Sequence, residues 1–329
     1  AGDYVPWVAT GIAVLLLAVT VATNLGSLLA VDKLEALESV GRVYTTMSIA
    51  ASVGLVTGYA CRNRMAMILC LLILVFDMYV GFRFLMAIST IAIIVIEFQR
   101  RGALSLIRDA GRTLILILFV GQFFFVYQNI KAPLKAGDFA EVQRRFSDPA
   151  WYVANFATSE PFITQSILNE VIRTDFTAPN DHLTSSVYNI IVFAPELGAT
   201  PVTFNDYFQP TLYRNVRSGV ASNMWAQFWS VGGVLGVIFA ATAFAGLLAL
   251  FSHLVRRSEG ALLGGVSLVG ACLAFYIQRN ELSTLLILEK RMVMVLAACV
   301  IGAWCLRLLQ WRIPPPAETT MTTGDAGSS

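Results

Sequence analysis

Residues 65–98 read MAMILCLLILVFDMYVGFRFLMAISTIAIIVIEF, and how this run is divided decides the architecture. A membrane-spanning helix needs about 20 mostly apolar residues, with a range of roughly 17–25. The run exceeds one span, and Val80-Gly81-Phe82-Arg83 interrupts it near its middle. Short cytoplasmic loops of membrane proteins are enriched in Lys and Arg. Arg62 and Arg64 precede the run and Arg100 and Arg101 follow it, so both of its ends belong on one side. The expectation is a hairpin of two short passes with Arg83 at its tip. Each arm has about 15 residues, or roughly 22 Å of helix, which puts Arg83 at the outer edge of the membrane or slightly within it.

Working outward, the other candidate spans are 7–30, 43–60, 112–129, 222–252, 260–277 and 292–308. The remaining basic clusters, Arg108/Arg112, Arg256/Arg257 and Arg307/Arg312, fall on the same side as the hairpin's open ends. The fold class expected is an all-α polytopic membrane bundle of about eight spans with both termini inside (N-in/C-in). Composition agrees. Charged residues make up 13% of the chain and hydrophobic ones 57%, with a mean hydropathy of +0.68. Soluble domains carry about 25% charged residues, so this chain lacks the polar residues to cover a water-facing surface. The first apolar run is longer than a signal-peptide core and follows Asp3, so it reads as a span. The chain begins at Ala1 instead of Met, which leaves room for an upstream segment.

Four regions follow. Residues 1–129 hold membrane helices including the hairpin 65–98, residues 130–221 form a large outer loop domain, and residues 222–312 return to membrane helices. Residues 313–329, with Pro314-Pro315-Pro316 followed by Ala, Thr, Gly and Ser, read as a disordered cytoplasmic tail. The outer side also holds residues 31–42 and a short connection at 278–291. A structureless stretch as long as 130–221 is improbable. Its pattern gives short helices around 138–146, 160–173, 184–193 and 203–214, suited to lying on the membrane surface. The pass 222–252 carries Gly232-Gly233 and Gly236 about ten residues in. Glycine there permits a kink or the close approach of another backbone, so 220–231 reads as an interfacial segment leading into the true span.

The five cysteines lie in or beside apolar runs and there are two histidines, so neither a disulfide framework nor a His-rich metal site is indicated. No phosphate loop, dinucleotide fingerprint, HExxH or GxSxG appears, and no cofactor is expected. No basic tract marks a nucleic-acid partner. What stands out is a set of outer-face cations: Arg83, Arg214, Arg217, Arg279, Lys290 and Arg291. Arginine holds phosphate bidentately and keeps its charge at any relevant pH. A converging set at the membrane boundary is what binding a lipid pyrophosphate requires. The plainer reading is that cations near helix ends snorkel to headgroups, and it weighs most for Lys290 and Arg291, which directly precede an apolar span. Asp77, two turns before Arg83, reads as a structural counter-ion. Among possible acids and bases, His182, Glu196, Asp206 and Glu160 are not separated by the sequence, and Glu281 reads as a salt-bridge partner of Arg279.

The stretch from Val220 to Gly236 (VASNMWAQFWSVGGVLG) resembles the polymerases and ligases of bacterial surface polysaccharides. In that superfamily a polar pair, an aromatic residue and Gly-x-x-Gly open the helix after the long periplasmic loop. Here Asn223, Trp225, Gly233 and Gly236 occupy those places, and the Arg217-to-Gly233 spacing is similar to that of Wzy-type O-antigen polymerases. Val80-Gly81-Phe82-Arg83 resembles the family's Gly-x-Arg turn, and Tyr276-Ile277-Gln278-Arg279-Asn280 its short outer turn with an arginine. The resemblance runs from about residue 60 to 310. Two departures stand against it: Ser222 replaces the histidine usual in the ligases, which favours polymerase, and family members usually have more helices.

The resemblance implies a glycosyl transfer at the periplasmic face of the bacterial inner membrane. The donor is a polyprenyl-pyrophosphate-linked oligosaccharide, and the acceptor is a sugar hydroxyl of another lipid-linked repeat. Pyrophosphate is a good leaving group, so positioning and charge stabilisation matter most. Arg217 and Arg279 are expected on the pyrophosphate, with Arg83, Arg214, Asn223, Trp225 and Arg291 contacting substrate. His182 or Glu196 would take the hydroxyl proton. Implied partners are membrane lipid, a chain-length regulator and a flippase. The competing readings are a ligase acting on lipid A core and a lipid-linked sugar flippase or transporter. A transporter places ionisable groups at mid-membrane, often with internal repeats, whereas here the spans are nearly uncharged and the cations gather at one face.

Overall fold

The computed structural model describes residues 2–28, 41–102, 130–157, 160–191, 202–213 and 222–312. Every regular element among them is helical. After a single 3-10 turn, α1 (Val5–Leu28) bends at Asn24. The helix α2 (Gly41–Ala60) reverses into α3 (Arg64–Val80) through a turn in which Arg62 takes φ 59. The Asn63 side chain caps α3 by accepting from the Ala66 N–H at 3.2 Å.

The expected break in the run 65–98 is present. Gly81 adopts φ 126, which closes α3, and α4 (Phe84–Arg101) begins after Arg83. The arms have 17 and 18 residues, about 26 Å each, somewhat longer than the sequence reading. They run antiparallel. The Tyr59 hydroxyl meets the Glu97 carboxylate and Arg100 Nη2 donates to the Ala60 carbonyl at 2.6 Å, while the tilted rings of Tyr44 and Phe82 have centres 5.2 Å apart. Arg100 therefore sits beside the Arg62–Arg64 turn, and Arg83 lies at the opposite end.

After helical residues 130–135, the described residues include α5 (Phe139–Ser147), α6 (Pro149–Ala157), α7 (Glu160–Arg173), α8 (Asp181–Tyr188) and α9 (Phe204–Leu212). Then come α10 (Met224–Arg257), α11 (Gly260–Tyr276) and α12 (Leu282–Arg312). Among the described residues, three helices are long and apolar enough to cross a membrane: Gly2–Asn24, Met224–Arg257 and Leu282–Leu309. The shorter α11 is also apolar. This is the helix set of a membrane-embedded protein. The expected span at 112–129, the loop 31–42 and the tail 313–329 lie outside the described residues.

Two boundaries differ from expectation: the helix expected over 184–193 is α8 (Asp181–Tyr188), and the last helix starts early. The connection expected over 278–291 is only a few residues long, because α12 already starts at Leu282. Leu285, Leu288 and Met292 share its inner face and are buried in the main core, so burying that apolar stripe favours helix over loop. Lys290 and Arg291 consequently lie inside a helix.

The helix α10 is two helices folded on each other. Gly233 takes φ 53 and ψ −140, outside helical geometry, and the Trp225 ring returns to 6.4 Å from Phe244. A straight helix would separate those residues by about 28 Å. The fold-back brings the Phe228 carbonyl against Gly236, where an added Cβ would lie 2.3 Å from that oxygen. The glycine pair thus has two jobs, one conformational and one spatial. The leading segment, ending at Gly232, joins α7 and α9 in a second core of Ile167, Val171, Phe204, Phe208 and Ala226.

Replacing each glycine by Ala separates these jobs. Gly232→Ala meets nothing within 4 Å and should change stability by less than about 0.5 kcal/mol. Gly233→Ala should cost about 1–3 kcal/mol for its backbone conformation, and Gly236→Ala at least as much. Thermal unfolding midpoints in detergent check this ordering; equal midpoints for all three variants would contradict the fold-back.

Candidate functional site

The end of the bundle away from the Arg62–Arg64 turn carries two connected features: the short turn between α11 and α12, and a pocket at the start of α2. The turn anchors the loop helices through backbone groups. Glu281 is 3% exposed and its Oε2 accepts from the Phe204 N–H, the first residue of α9, at 2.7 Å. A carboxylate is favoured at a helix N-terminus, where unsatisfied N–H groups concentrate. Gln227 Oε1 accepts from the Leu282 N–H at 2.9 Å, Trp225 Nε1 donates to Gln278 Oε1 at 3.2 Å, and Asn189 Nδ2 donates to Ser283 Oγ at 2.6 Å.

Arg279 lies in this turn, half-buried, with its guanidinium carbon 5.6 Å from the Phe275 ring centre and 5.9 Å from that of Tyr276. These are cation–π distances. The Tyr276 ring in turn lies 5.9 Å from Phe84, edge to face. Arg83 adjoins Phe84 in the chain, and Arg291 lines a pocket with Phe84. Arg279 and Arg291 therefore border the Phe84–Tyr276 pair, and Arg83 precedes Phe84 in the chain.

That pocket has a volume of about 400 Å³. Its lining includes Arg42, Tyr44, Asp77, Phe82, Phe84 and Arg291. Asp77 is 1% exposed, and its Oδ1 accepts the Tyr44 hydroxyl proton. The counter-ion reading of Asp77 is corrected by this geometry: its partner is a neutral phenol, and no ion pair to it occurs among the described residues. Arg42 and Tyr44 are absent from the sequence-derived set. The signal for them was the stripe Tyr44, Ser48, Ser52, polar at helical spacing inside a span. A second cleft of about 850 Å³ lies toward the opposite end between α4, α10 and α11. Ile91, Val95, Leu248 and Phe251 make it mostly apolar, with Gln99 and Arg256 at its polar side.

The remaining expected residues divide by role. Asn223 is 1% exposed and its amide is engaged at both ends: Oδ1 caps the leading segment of α10 from the Trp225 N–H at 2.8 Å, and Nδ2 donates to the Thr164 carbonyl at 3.2 Å. Lys290 Nζ donates to the Ile191 carbonyl at 3.1 Å, tying the chain after α8 to α12. Asp206 closes a capping box at the start of α9, accepting from the Thr203 N–H at 2.7 Å. Glu160 opens α7. Arg214, Arg217 and Glu196 lie outside the described residues. No cluster of three or more metal-ligating side chains occurs among the described residues.

His182 is fully buried, 5.5 Å from the Phe204 ring and 6.0 Å from that of Tyr207. Burial pushes its pKa below the ordinary 6.5, opposed by the Pro179 carbonyl and the Asp181 charge. Burial pushes Glu281 the other way, above the ordinary 4.5, opposed by the backbone N–H groups of Phe204 and Asn205. Desolvation disfavours the charged form in both.

The fold and this site define a helical membrane-embedded protein with a loop domain docked on one end of its bundle. No protein-family model, no curated protein and no solved structure matches the chain.

The two buried groups predict opposite pH dependences. The unfolded chain protonates His182 below about 6.5 while the folded state holds it neutral, so stability is lost as pH falls through that value. The Glu281 contribution is complete below about 4.5 and is lost as pH rises through its elevated folded pKa. Thermal midpoints between pH 7.5 and 5.5 should fall more for wild type than for His182→Phe. Identical falls would remove His182 as the source.

Proposed function

We propose that this protein polymerises lipid-linked oligosaccharide repeat units at the outer face of a bacterial inner membrane. The glycan moves from polyprenyl pyrophosphate to a sugar hydroxyl on another lipid-linked repeat. The observation that carries the reading is Arg279 on the Tyr276 ring and Arg291 beside Phe84, with Arg83 next to Phe84 in the chain, beneath a docked helical domain. A diphosphate needs several fixed cations at once, and Arg279, seated between two aromatic rings, is held ready for it. The other basic clusters support the orientation. Arg100 bonds the end of α2, and Gly260, which follows Arg256 and Arg257, lies against Cys61. They therefore collect at the opposite end, as short cytoplasmic loops do.

In this reading the chain makes about eight passes with both termini in the cytoplasm, the hairpin α3–α4 supplying two of them. Exposed Phe139 and Phe146 on one face of α5 lie against the outer lipid surface. Arg279 and Arg217 stabilise charge on the departing diphosphate, and Arg83, Arg214 and Arg291 hold the donor. Trp225, held by Gln278 next to Arg279, flanks the sugar. No nucleotide is required, because the donor already carries its leaving group.

The test uses purified protein in vesicles with polyprenyl-diphosphate-linked repeats extracted from the source cell. A ladder of longer lipid-linked glycans is expected without added nucleotide. Arg279→Ala and Arg217→Ala should each slow extension about 10²–10³-fold, the usual cost of losing one charge-stabilising donor. No ladder from a verified cognate repeat would remove the polymerase reading, and transfer to lipid A core would replace it with the ligase.

A further inference from the structure

We infer that Asp77 is the proton acceptor of the reaction, working from the 400 Å³ pocket at the start of α2, with Tyr44 as its positioning partner and Arg42 and Arg291 as its anion-holding rim. This rests on the polymerase reading and adds to it the base that the sequence left open. The geometry is specific. Of the two Asp77 carboxylate oxygens, Oδ1 is fixed by the Tyr44 hydroxyl. Oδ2 is buried and has no hydrogen-bond partner among the described residues. Ser48, one turn along α2, donates to the Tyr44 carbonyl at 3.2 Å and lies beside the Asp77 carboxylate.

A buried carboxylate oxygen without a donor is costly, and a group that arrives with an O–H removes that cost. A sugar hydroxyl is such a group. The pocket volume falls within the range of about 300–1,000 Å³ typical of small-molecule sites. Phe82, Phe84 and Tyr44 offer aromatic faces for a sugar ring. Gly41 and Arg42, both exposed, mark the way in. A purely structural acid in an apolar bundle would have a protein donor on each oxygen. Asp77 has only one.

The chemistry balances. The acceptor hydroxyl oxygen bonds to the anomeric carbon of the donor sugar as that carbon's bond to the pyrophosphate oxygen breaks. The bonding pair leaves with the pyrophosphate, whose charge the arginines hold, and the hydroxyl proton passes to Asp77 Oδ2. Tyr44 keeps the carboxylate oriented throughout and does not itself meet the reacting atoms.

Two measurements test this. In the vesicle ladder assay, Asp77→Asn should retain binding of the lipid-linked donor and slow extension about 10²–10⁴-fold, the usual contribution of a general base. Extension by Asp77→Asn at the wild-type rate would overturn the assignment while leaving the polymerase reading intact. The second measurement uses wild type, so it holds even if the variant does not fold. Dicyclohexylcarbodiimide modification of Asp77, followed by peptide mass spectrometry, should slow several-fold when free repeat-unit oligosaccharide saturates the site. Equal modification with and without the glycan would overturn it. Absence of any wild-type ladder would instead remove the polymerase reading itself.

Discussion

The arrangement depends on the close approach of backbones around α2. From Met47 to Gly58 every residue of this helix is buried, and it packs on α1, α3, α4, α11 and α12. In lipid no hydrophobic force draws helices together, so association relies on van der Waals contact and small residues that let backbones meet. The sequence of α2 is built for that. A Cβ on Gly54 would lie 2.4 Å from Cys70 Sγ of α3, and one on Gly264 of α11 would lie 2.8 Å from the Thr57 Cα. Thr57 and Ser52 direct their hydroxyls to carbonyls one turn back, so these polar side chains are buried without orphaned groups. Once α2 is fixed, α3 and α4 must stand on opposite sides of their turn, and Arg83 can occupy only the end where α2 begins.

From that end the loop domain takes its position. The docking is made mostly of backbone groups meeting polar side chains: buried Glu281 on Phe204, Gln227 on Leu282 and Asn223 on Thr164, and part-exposed Lys290 on Ile191. Such bonds are directional and costly to leave unmade, which gives the turn between α11 and α12 a defined orientation. Arg279 inherits that orientation, and the aromatic rings beneath it restrict its guanidinium further. The same turn therefore fixes the loop helices and aims a cation.

Much of the helical architecture was legible in the sequence. The break at Gly81, the glycine-dependent interruption near Gly233 and the helical nature of the loop all follow from apolar run length, charge bias and turn residues. The boundary of α12 was not, because Lys290 and Arg291 mimic the edge of a span. Only the burial of Leu285 and Leu288 on one face shows that the helix has already begun. The helix α6 was also missed, since Pro149 opens it at a first-turn position where proline is tolerated. For the site, arginine positions were readable as charges at apolar boundaries. The Tyr44–Asp77 bond joins residues more than thirty positions apart, and no local pattern encodes a pairing of that range. Asn223 illustrates the converse: its place in the sequence suggested contact with a ligand, yet its amide is engaged by the protein's own backbone.

The second core has a consequence for how the protein is made. Its apolar residues come from α7, from α9 and from the leading segment of α10, where Ala226 is buried and Trp229 packs alongside. Synthesis proceeds from the N-terminus, so Ile167 and Val171 emerge well before Ala226. They have no complete set of partners until the chain has passed residue 229 and turned back at Gly233. During that interval an apolar helix face waits uncovered beside the membrane, and such surfaces associate with whatever is near. The glycine reversal thus sets the moment at which the loop domain stops being a nascent chain and becomes a folded one.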